Sequence, residues 1–448
     1  MATQNEDNPL DTVIDDVTNL KKLTAFIRAK FSHKGFRRYG ENLSWMFFAK
    51  IITMVISIVA TAYIARHLGP KNYGELSYAI SFVGIVSFFA NLGVDQILCR
   101  DIIAHPEKRN EYLGSALVLK ITASVLSFFT CVMLALALSM RDVSLYLIFI
   151  ISLSPFAASF GLLSNEFQAD AKSKYPSIFS ILVVFILNIL KLLVIYYDKG
   201  VIFLAAIVLL EPILYSIMYM ILRTRVYGSL LNLRFNKLIA VTMLKSGYPL
   251  IFASVFFMIY ARIDQVMIKH MINAEAVGLY DAAVRLSEIS YFIPNIIMAG
   301  IFPAIINAKK ISSALYHKRI KHLILLLIFI SSLLALITTV FSKYIILVVY
   351  GATFIEAVPI LTIYVWSNVG AALILLTQQI LVSENLTKNV TLTLFFGMLF
   401  NVILNILLIP KYGMSGAAFA SLISYFIPFI SMLFISNTRI FLLKILRS

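Results

Sequence analysis

Charge is what this 448-residue sequence most lacks. Asp, Glu, Lys and Arg make up 13% of it, against 60% hydrophobic residues. A soluble domain carries about 25% charged residues, so a chain with half that share is not a set of ordinary soluble domains. Cysteine is scarce too. Cys99 and Cys131 fall at the end of one apolar block and inside another, which offers neither a disulfide framework nor a zinc spacing. The six histidines (His33, His67, His105, His270, His317 and His322) are scattered over loops and helix ends without paired ligand spacing, so no metal is expected. No Gly-x-x-x-x-Gly-Lys loop occurs, which argues against ATP hydrolysis by this chain, and no cofactor is implied. The first long apolar run begins near Ser44 behind a polar tail, so no cleavable leader is expected.

The apolar residues arrive in blocks. Residues 323–342, 357–383, 389–410 and 412–438 contain no Asp, Glu, Lys or Arg at all. About 20 such residues cross a bilayer as a helix, and in lipid each backbone donor and acceptor must be satisfied within the segment. Hydropathy with Gly, Pro and charge breaks places twelve spans near 44–65, 74–98, 113–139, 145–166, 177–197, 201–222, 247–268, 286–306, 322–341, 357–382, 390–410 and 415–436. The expected fold class is an all-α integral membrane protein, with about twelve transmembrane helices in two parallel six-helix halves around a central cavity.

An even number of spans puts both termini on one side. On that side lie 26 of the 38 Lys and Arg; 8 lie opposite, and Lys50, Lys120, Lys191 and Arg262 lie within spans. The positive-inside rule therefore predicts cytoplasmic termini in an inner or plasma membrane. It also reads the net charge of +16 as topology and contact with anionic membrane lipids, with no nucleic acid needed. The expected order is an N-terminal tail over 1–43, a six-helix half over 44–222, a basic linker over 223–246, a second half over 247–436 and a tail over 437–448. In the first tail Val13, Val17, Leu20, Leu23, Ile27 and Phe31 recur every three or four residues. That spacing fits an amphipathic helix in the headgroup layer, a partly disordered tail being the alternative.

Two weak internal matches support the division into halves. Ile186-Leu187-Asn188-Ile189-Leu190 recurs as Ile403-Leu404-Asn405-Ile406-Leu407, offset by 217, and Tyr73-Gly74 resembles Val277-Gly278, offset by 204. Halves of six spans each lie parallel, an arrangement in which transporters place the substrate between them. The first two spans of each half carry polar stripes. Span one has Lys50, Thr53, Ser57 and Thr61; span two has Ser77, Ser81, Gly84, Asn91 and Asp95. Span seven has Arg262, Gln265 and Lys269, with Asp264 pointing nearly opposite to Arg262; span eight has Asp281, Arg285, Glu288 and Asn295. Hydroxyl and amide side chains commonly bond helices together. A cation inside a span, as at Lys50 and Arg262, is by default a functional residue. Lys120 and Lys191 can instead reach a headgroup along their stems.

Three segments carry a family resemblance. Ala65-Arg66-His67-Leu68-Gly69-Pro70-Lys71-Asn72-Tyr73-Gly74 resembles the first-loop signature of the bacterial polysaccharide flippases (Wzx-type, O-antigen transporters), within the superfamily of multidrug/oligosaccharidyl-lipid/polysaccharide exporters. Ile263-Asp264-Gln265-Val266-Met267-Ile268 with Gly278-Leu279-Tyr280 resembles that family's span-seven element. Asn401 and Asn405, followed by Leu408-Ile409-Pro410-Lys411-Tyr412-Gly413 and Gly416-Ala417-Ala418, is similar to its span-eleven and span-twelve turn. The resemblance covers about residues 42–436; the long first tail departs from it.

The resemblance implies a non-enzymatic flippase of a bacterial inner membrane, moving a polyprenyl-pyrophosphate-linked oligosaccharide to the outer leaflet for surface polysaccharide synthesis. A polysaccharide polymerase and a chain-length regulator are the protein partners it suggests. Such a cargo needs a polar cavity for the sugar, cations for the pyrophosphate and a lateral gap for the prenyl tail. Lys50 is placed to meet the headgroup on entry and Arg262 to receive it deeper. The candidate substrate-binding residues are Lys50, Arg66, Asn91, Asp95, Arg262, Asp264, Lys269, Arg285 and Glu288. An ion gradient acting through Asp264 or Glu288 is one conceivable energy source. A multidrug antiporter of the same superfamily is the main alternative. A membrane polymerase or ligase would call for a sizeable external loop with catalytic residues, whereas the longest connection here is the basic 223–246 on the terminus side.

Overall fold

A chain surrounded by lipid satisfies its backbone through helices or a closed barrel. The structure, a computed structural model, describes residues 34–91, 94–140, 142–170, 172–310, 312–435 and 438–439, without the side chains of 34–43, 88, 89, 91, 96, 249, 250 and 303. Among the described residues there are helices and no strand. The expected amphipathic segment 13–31, and most of the 437–448 tail, lie outside the described residues.

Ten helical stretches are long and apolar enough to cross a membrane. Two of them, Ser44–Ser87 and Thr387–Ser431, run to 44 and 45 residues. A straight helix of that length would reach about 66 Å, over twice the ~30 Å hydrocarbon core. Each therefore doubles back. The first turns at Gly69 (φ 69°, ψ 169°) ahead of Pro70, the second at Gly413 (φ 60°, ψ −139°) just past Pro410. Only glycine takes such positive-φ corners without strain, and Pro70 suits the first turn of the helix that follows Gly69. The ten stretches are thus twelve spans. Spans one and two form the first long element and spans eleven and twelve the last. Between them lie Pro106–Ala137, Val143–Ala169, Lys174–Tyr196, Val201–Tyr227, Ile251–Met271, Ala274–Lys309, Ser313–Val349 and Ala357–Ser383.

Three spans break where proline leaves a carbonyl unserved; one is span twelve, which stops at Ser424 and resumes at Ile427 ahead of Pro428. Span four stops at Ile151 and resumes at Ser154, with Pro155 lacking the N–H that Ile151 would use. Span eight stops at Ile289 and resumes at Phe292, where Pro294 does the same to Ser290. Large apolar side chains such as Phe129, Met133, Val340 and Val348 face outward, as a lipid-facing wall requires.

The main apolar core joins the halves at one end. Near the Gly69 turn a single apolar core combines Tyr73 and Leu76 of the first half with Val277, Tyr280, Ile346 and Phe354 of the second. At the opposite end there are two smaller cores, and the halves meet there through Met243 and through Phe47 stacked on Phe292 at 5.4 Å. One gathers Phe302, Ile305, Leu323 and Leu376; the other gathers Leu98, Ile102, Leu113 and Leu162 with Met243 from the start of span seven. The segment joining the halves is shorter than the expected 223–246. Span six stays helical to Tyr227, and the next helix starts at Lys237, capped by the Asn236 side chain on the N–H groups of Leu238 and Ile239. The joining segment is held to span three: Arg234 N–H donates to Asn110 O at 3.2 Å, and Ser115 exchanges hydrogen bonds with the Asn236 backbone at 2.9 and 3.1 Å.

Candidate functional site

The contact between the halves is built around two glycines. A Cβ on Gly74 would lie 1.8 Å from the Ala274 carbonyl oxygen, and one on Gly278 would lie 2.0 Å from that of Pro70. Gly74 and Gly278 are 204 apart in sequence, and so are Pro70 and Ala274. The contact therefore reproduces itself when the halves are exchanged, which marks a pseudo-twofold axis between spans two and eight. The next pair along the axis keeps the same spacing: Ser77 Oγ donates to Asp281 Oδ2 at 2.8 Å.

Asp281 is the hub of this end. It is buried and accepts from the Tyr73 hydroxyl at 2.7 Å, from Arg285 Nε at 2.6 Å and from Gln265 Nε2 at 2.8 Å, while Ser81 Oγ bonds the Gln265 carbonyl. Lys269 of span seven bridges to Glu75 of the first half, and to Asp142 at 3.5 Å. Arg66 donates to Val349 O at 2.9 Å, to Leu347 O at 3.2 Å and to Val348 O, tying the first turn to the end of span nine. Ion pairs with extra hydrogen bonds are what make buried charges tolerable. This end is sealed.

The other end opens into a cavity of about 910 Å³ between the halves. Lys50, Thr53 and Ser57 come from span one, Ser177 and Ser180 from span five, and Glu288 and Asn295 from span eight. Lys50 lies about 28 Å along its helix from the Gly69 corner. Among the described residues it has no ion-pair or hydrogen-bond partner for its ammonium group, and it is exposed. Glu288 on the facing wall pairs with Arg262 Nη2 at 3.6 Å, and both side chains are 29% exposed. Among the described residues the cavity thus presents the unpaired Lys50 ammonium, the Arg262–Glu288 pair, the Glu211 carboxylate, and walls that mix hydroxyls and amides with apolar side chains such as Met46, Met54 and Val184. Such a lining suits a guest with both polar and apolar parts, and the Lys50 ammonium offers a contact to an anionic group on it.

The nine candidates from the sequence do not share one place. Lys50 and Glu288 line the cavity, with Arg262 beside Glu288; Arg285, Lys269 and Arg66 hold the sealed end. Asp95 lies inside the first half, paired with the buried Lys120 at 2.8 Å and accepting from Asn165 at 3.1 Å, so Lys120 does not reach for a headgroup. The Asn91 side chain lies outside the described residues. Asp264 lies inside the second half and accepts from Tyr280 and Asn405, each at 2.6 Å, and from Ser421. No cation is among those partners, and the Asn405 amide oxygen is buried without a bond. A lone negative charge among neutral oxygens can hold a proton or a small monovalent cation. Among the described residues no group of three or more His, Cys, Asp or Glu could hold a metal ion.

Sequence reasoning passed over three groups. Glu75 completes the Lys269 bridge. The buried Arg223–Glu166 pair, 3.3 Å apart, binds the joining segment through Arg223 to Gly228 O and Ser229 O at 2.9 and 2.8 Å. Glu211, inside span six, lines the cavity. An acid within a span was itself the signal for Glu211.

Comparison with known proteins agrees with this architecture. The sequence model of a family described as "Polysaccharide biosynthesis protein" matches residues 39–309, and that of the MatE family matches 249–407. A Shigella flexneri protein described as an O-antigen transporter is 30% identical over 91 residues, 20% of this chain and only 21% of that protein's length. A Haloferax volcanii protein described as a low-salt glycan biosynthesis flippase is 23% identical over 394 residues, covering 85% of this chain and 79% of that one. Among solved structures, an inward-facing multidrug resistance transporter of the MATE family superposes with a TM-score of 0.72 at 12% identity, over 88% of this chain and 96% of that one. At that identity the likeness is one of fold.

Proposed function

Because the chain belongs to the polysaccharide biosynthesis protein family, we propose that it carries a polyprenyl-pyrophosphate-linked oligosaccharide from the cytoplasmic to the outer leaflet of the inner membrane by alternating access. The observation behind this reading is the Lys50 ammonium, unpaired among the described residues, in a cavity of about 910 Å³ that also carries hydroxyls and amides. A pyrophosphate headgroup entering there meets Lys50 first. Further in, it competes with Glu288 for Arg262, whose fork of donors can grip two phosphate oxygens at once. The 26-to-8 distribution of Lys and Arg supports cytoplasmic termini and hence a cytoplasmic mouth for the cavity. Outward release then requires the Gly74–Gly278 contact and the Asp281 cluster to part while the Lys50 end closes. The prenyl tail stays in lipid beside spans one and eight. Asp264, without a cationic partner, is the group through which an ion gradient would act.

The test is surface display of polysaccharide in cells lacking this protein. Restored wild type should return the polysaccharide to the surface. Lys50→Ala and Arg262→Ala should leave lipid-linked oligosaccharide in the cytoplasmic leaflet at equal membrane abundance. Unchanged display in cells without the protein, together with loss of resistance to cationic drugs, would instead support a multidrug antiporter. The match of residues 249–407 to the MatE family favours that second reading.

A further inference from the structure

Span six is the wall of the cavity that the pyrophosphate reading leaves unused. Glu211, Tyr215 and Tyr219 follow one another at steps of four, so they project from one face of the helix Val201–Tyr227. All three line the cavity of about 910 Å³, and Glu211 with Tyr215 also lines a second cavity of about 410 Å³ reaching into the first half. The two tyrosine rings stack, with centroids 6.3 Å apart and planes at 20° to each other. Glu211 has no hydrogen bond or ion pair among the described residues, although its charge is felt by Lys191 and Tyr215. An intramembrane carboxylate without a bonded partner is rarely kept for packing.

We propose that Glu211, Tyr215 and Tyr219 form the subsite for the sugar rings of the cargo, separate from the pyrophosphate contacts at Lys50 and Arg262. This rests on the function proposed above. The chemistry is general. Pyranose rings present flat patches of C–H that pack against aromatic faces, and their hydroxyls donate to an ionised carboxylate, the stronger kind of neutral-to-charged hydrogen bond. Ser177, Ser180 and Gln168 on the neighbouring wall supply further donors and acceptors. An aromatic pair with a carboxylate also attracts organic cations. Here, however, the Lys50 ammonium shares the cavity and opposes a cationic guest, while Thr53, Ser57, Gln168, Ser177, Ser180 and Asn295 offer hydroxyls and amides to a polyhydroxylated one.

The test measures binding to the full chain in lipid nanodiscs with three probes. They are lipid-linked oligosaccharide extracted from source cells lacking the transporter, bare polyprenyl pyrophosphate, and tetraphenylphosphonium. Wild type should prefer the sugar-bearing lipid about tenfold or more over the bare one, in line with one or more hydrogen bonds to a charged group. Glu211→Ala and the double change Tyr215→Ala with Tyr219→Ala should erase that preference and leave the bare lipid bound as before. Tyr215→Phe with Tyr219→Phe, which keeps both rings, should retain most of it. Equal loss of both lipids would assign the residues to structure and overturn the proposal. So would an unchanged preference in variants with wild-type thermal unfolding. Glu211-dependent binding of tetraphenylphosphonium without sugar preference would overturn it in favour of a cation site. Bare and sugar-bearing lipids bound equally by wild type would sink the subsite alone, whereas binding of neither lipid would sink the flippase reading with it.

Discussion

Replacing Gly74 by alanine asks directly whether the sealed end is one of two working states. The added Cβ would sit 1.8 Å from the Ala274 carbonyl oxygen, where ordinary contact begins at 3.4 Å, so spans two and eight must separate by about 1.6 Å. The obstacle is backbone, so no side chain can swing away. Overpacking of this kind costs about 1–3 kcal/mol, which displaces a two-state balance roughly 5- to 150-fold. The cost falls only on the state in which these backbones touch. The Ser77–Asp281 bond, at 2.8 Å and one turn further along, should break with it. Gly278→Ala should act alike, its Cβ lying 2.0 Å from Pro70 O. Gly300→Ala, with nothing within 4 Å of its Cβ, should be silent. Spin labels at Lys71 and Glu275, both exposed and themselves 204 apart, would report the separation as a distance distribution. The expected outcome is a population with longer distances in both variants, with surface polysaccharide reduced at unchanged protein abundance. Wild-type distances and full display in both would refute the reasoning, because the contact would then be neither tight nor tied to transport.

Four further outcomes follow from named contacts. Arg262→Lys should keep partial polysaccharide display where Arg262→Ala and Lys50→Ala lose most of it, since a lysine retains charge but not the two-pronged grip; equal display by all three at equal abundance would remove the cationic site. Glu288→Gln should free Arg262 and tighten binding of bare polyprenyl pyrophosphate severalfold in nanodiscs, whereas weaker binding would mean that Glu288 helps to hold the cargo. Arg223→Ala leaves the buried Glu166 carboxylate with only Arg109, 3.9 Å away, and loses up to about 3–5 kcal/mol as for a broken buried pair, so it should lower the thermal unfolding midpoint of the solubilised protein by several degrees; an unchanged midpoint would show that Arg109 or water already serves the carboxylate. Asp264→Asn should abolish dependence of transport on an ion gradient while leaving folding intact, because an amide can still accept from Tyr280 and Ser421; persistence of that dependence would move coupling elsewhere.

What the sequence made legible and what it hid divide along a physical line. Twelve crossings were readable because apolar length is a property of each segment taken alone. Hydropathy measures the crossing rather than the helix, however, so it does not reveal that the helices on either side extend into the 223–246 segment, to Tyr227 and from Lys237. The offset of 204 was visible for a different reason. Backbones in contact tolerate only glycine at Gly74 and Gly278, so the symmetry of the fold left a mark in residue identity. Charge partners left no such mark. Lys269 meets Glu75 across 194 positions, and Arg66 meets carbonyls more than 280 positions away, so no periodicity along one helix could have paired them. The rule that a charge inside a span signals function therefore marks Arg262, Lys269, Arg285 and Lys120 alike, although each is held by a carboxylate. Only the fold separates a cation whose charge is already answered from one still waiting for an anion. By that criterion Lys50 is the residue at which a pyrophosphate would gain most, and Glu288 is the one it would have to displace.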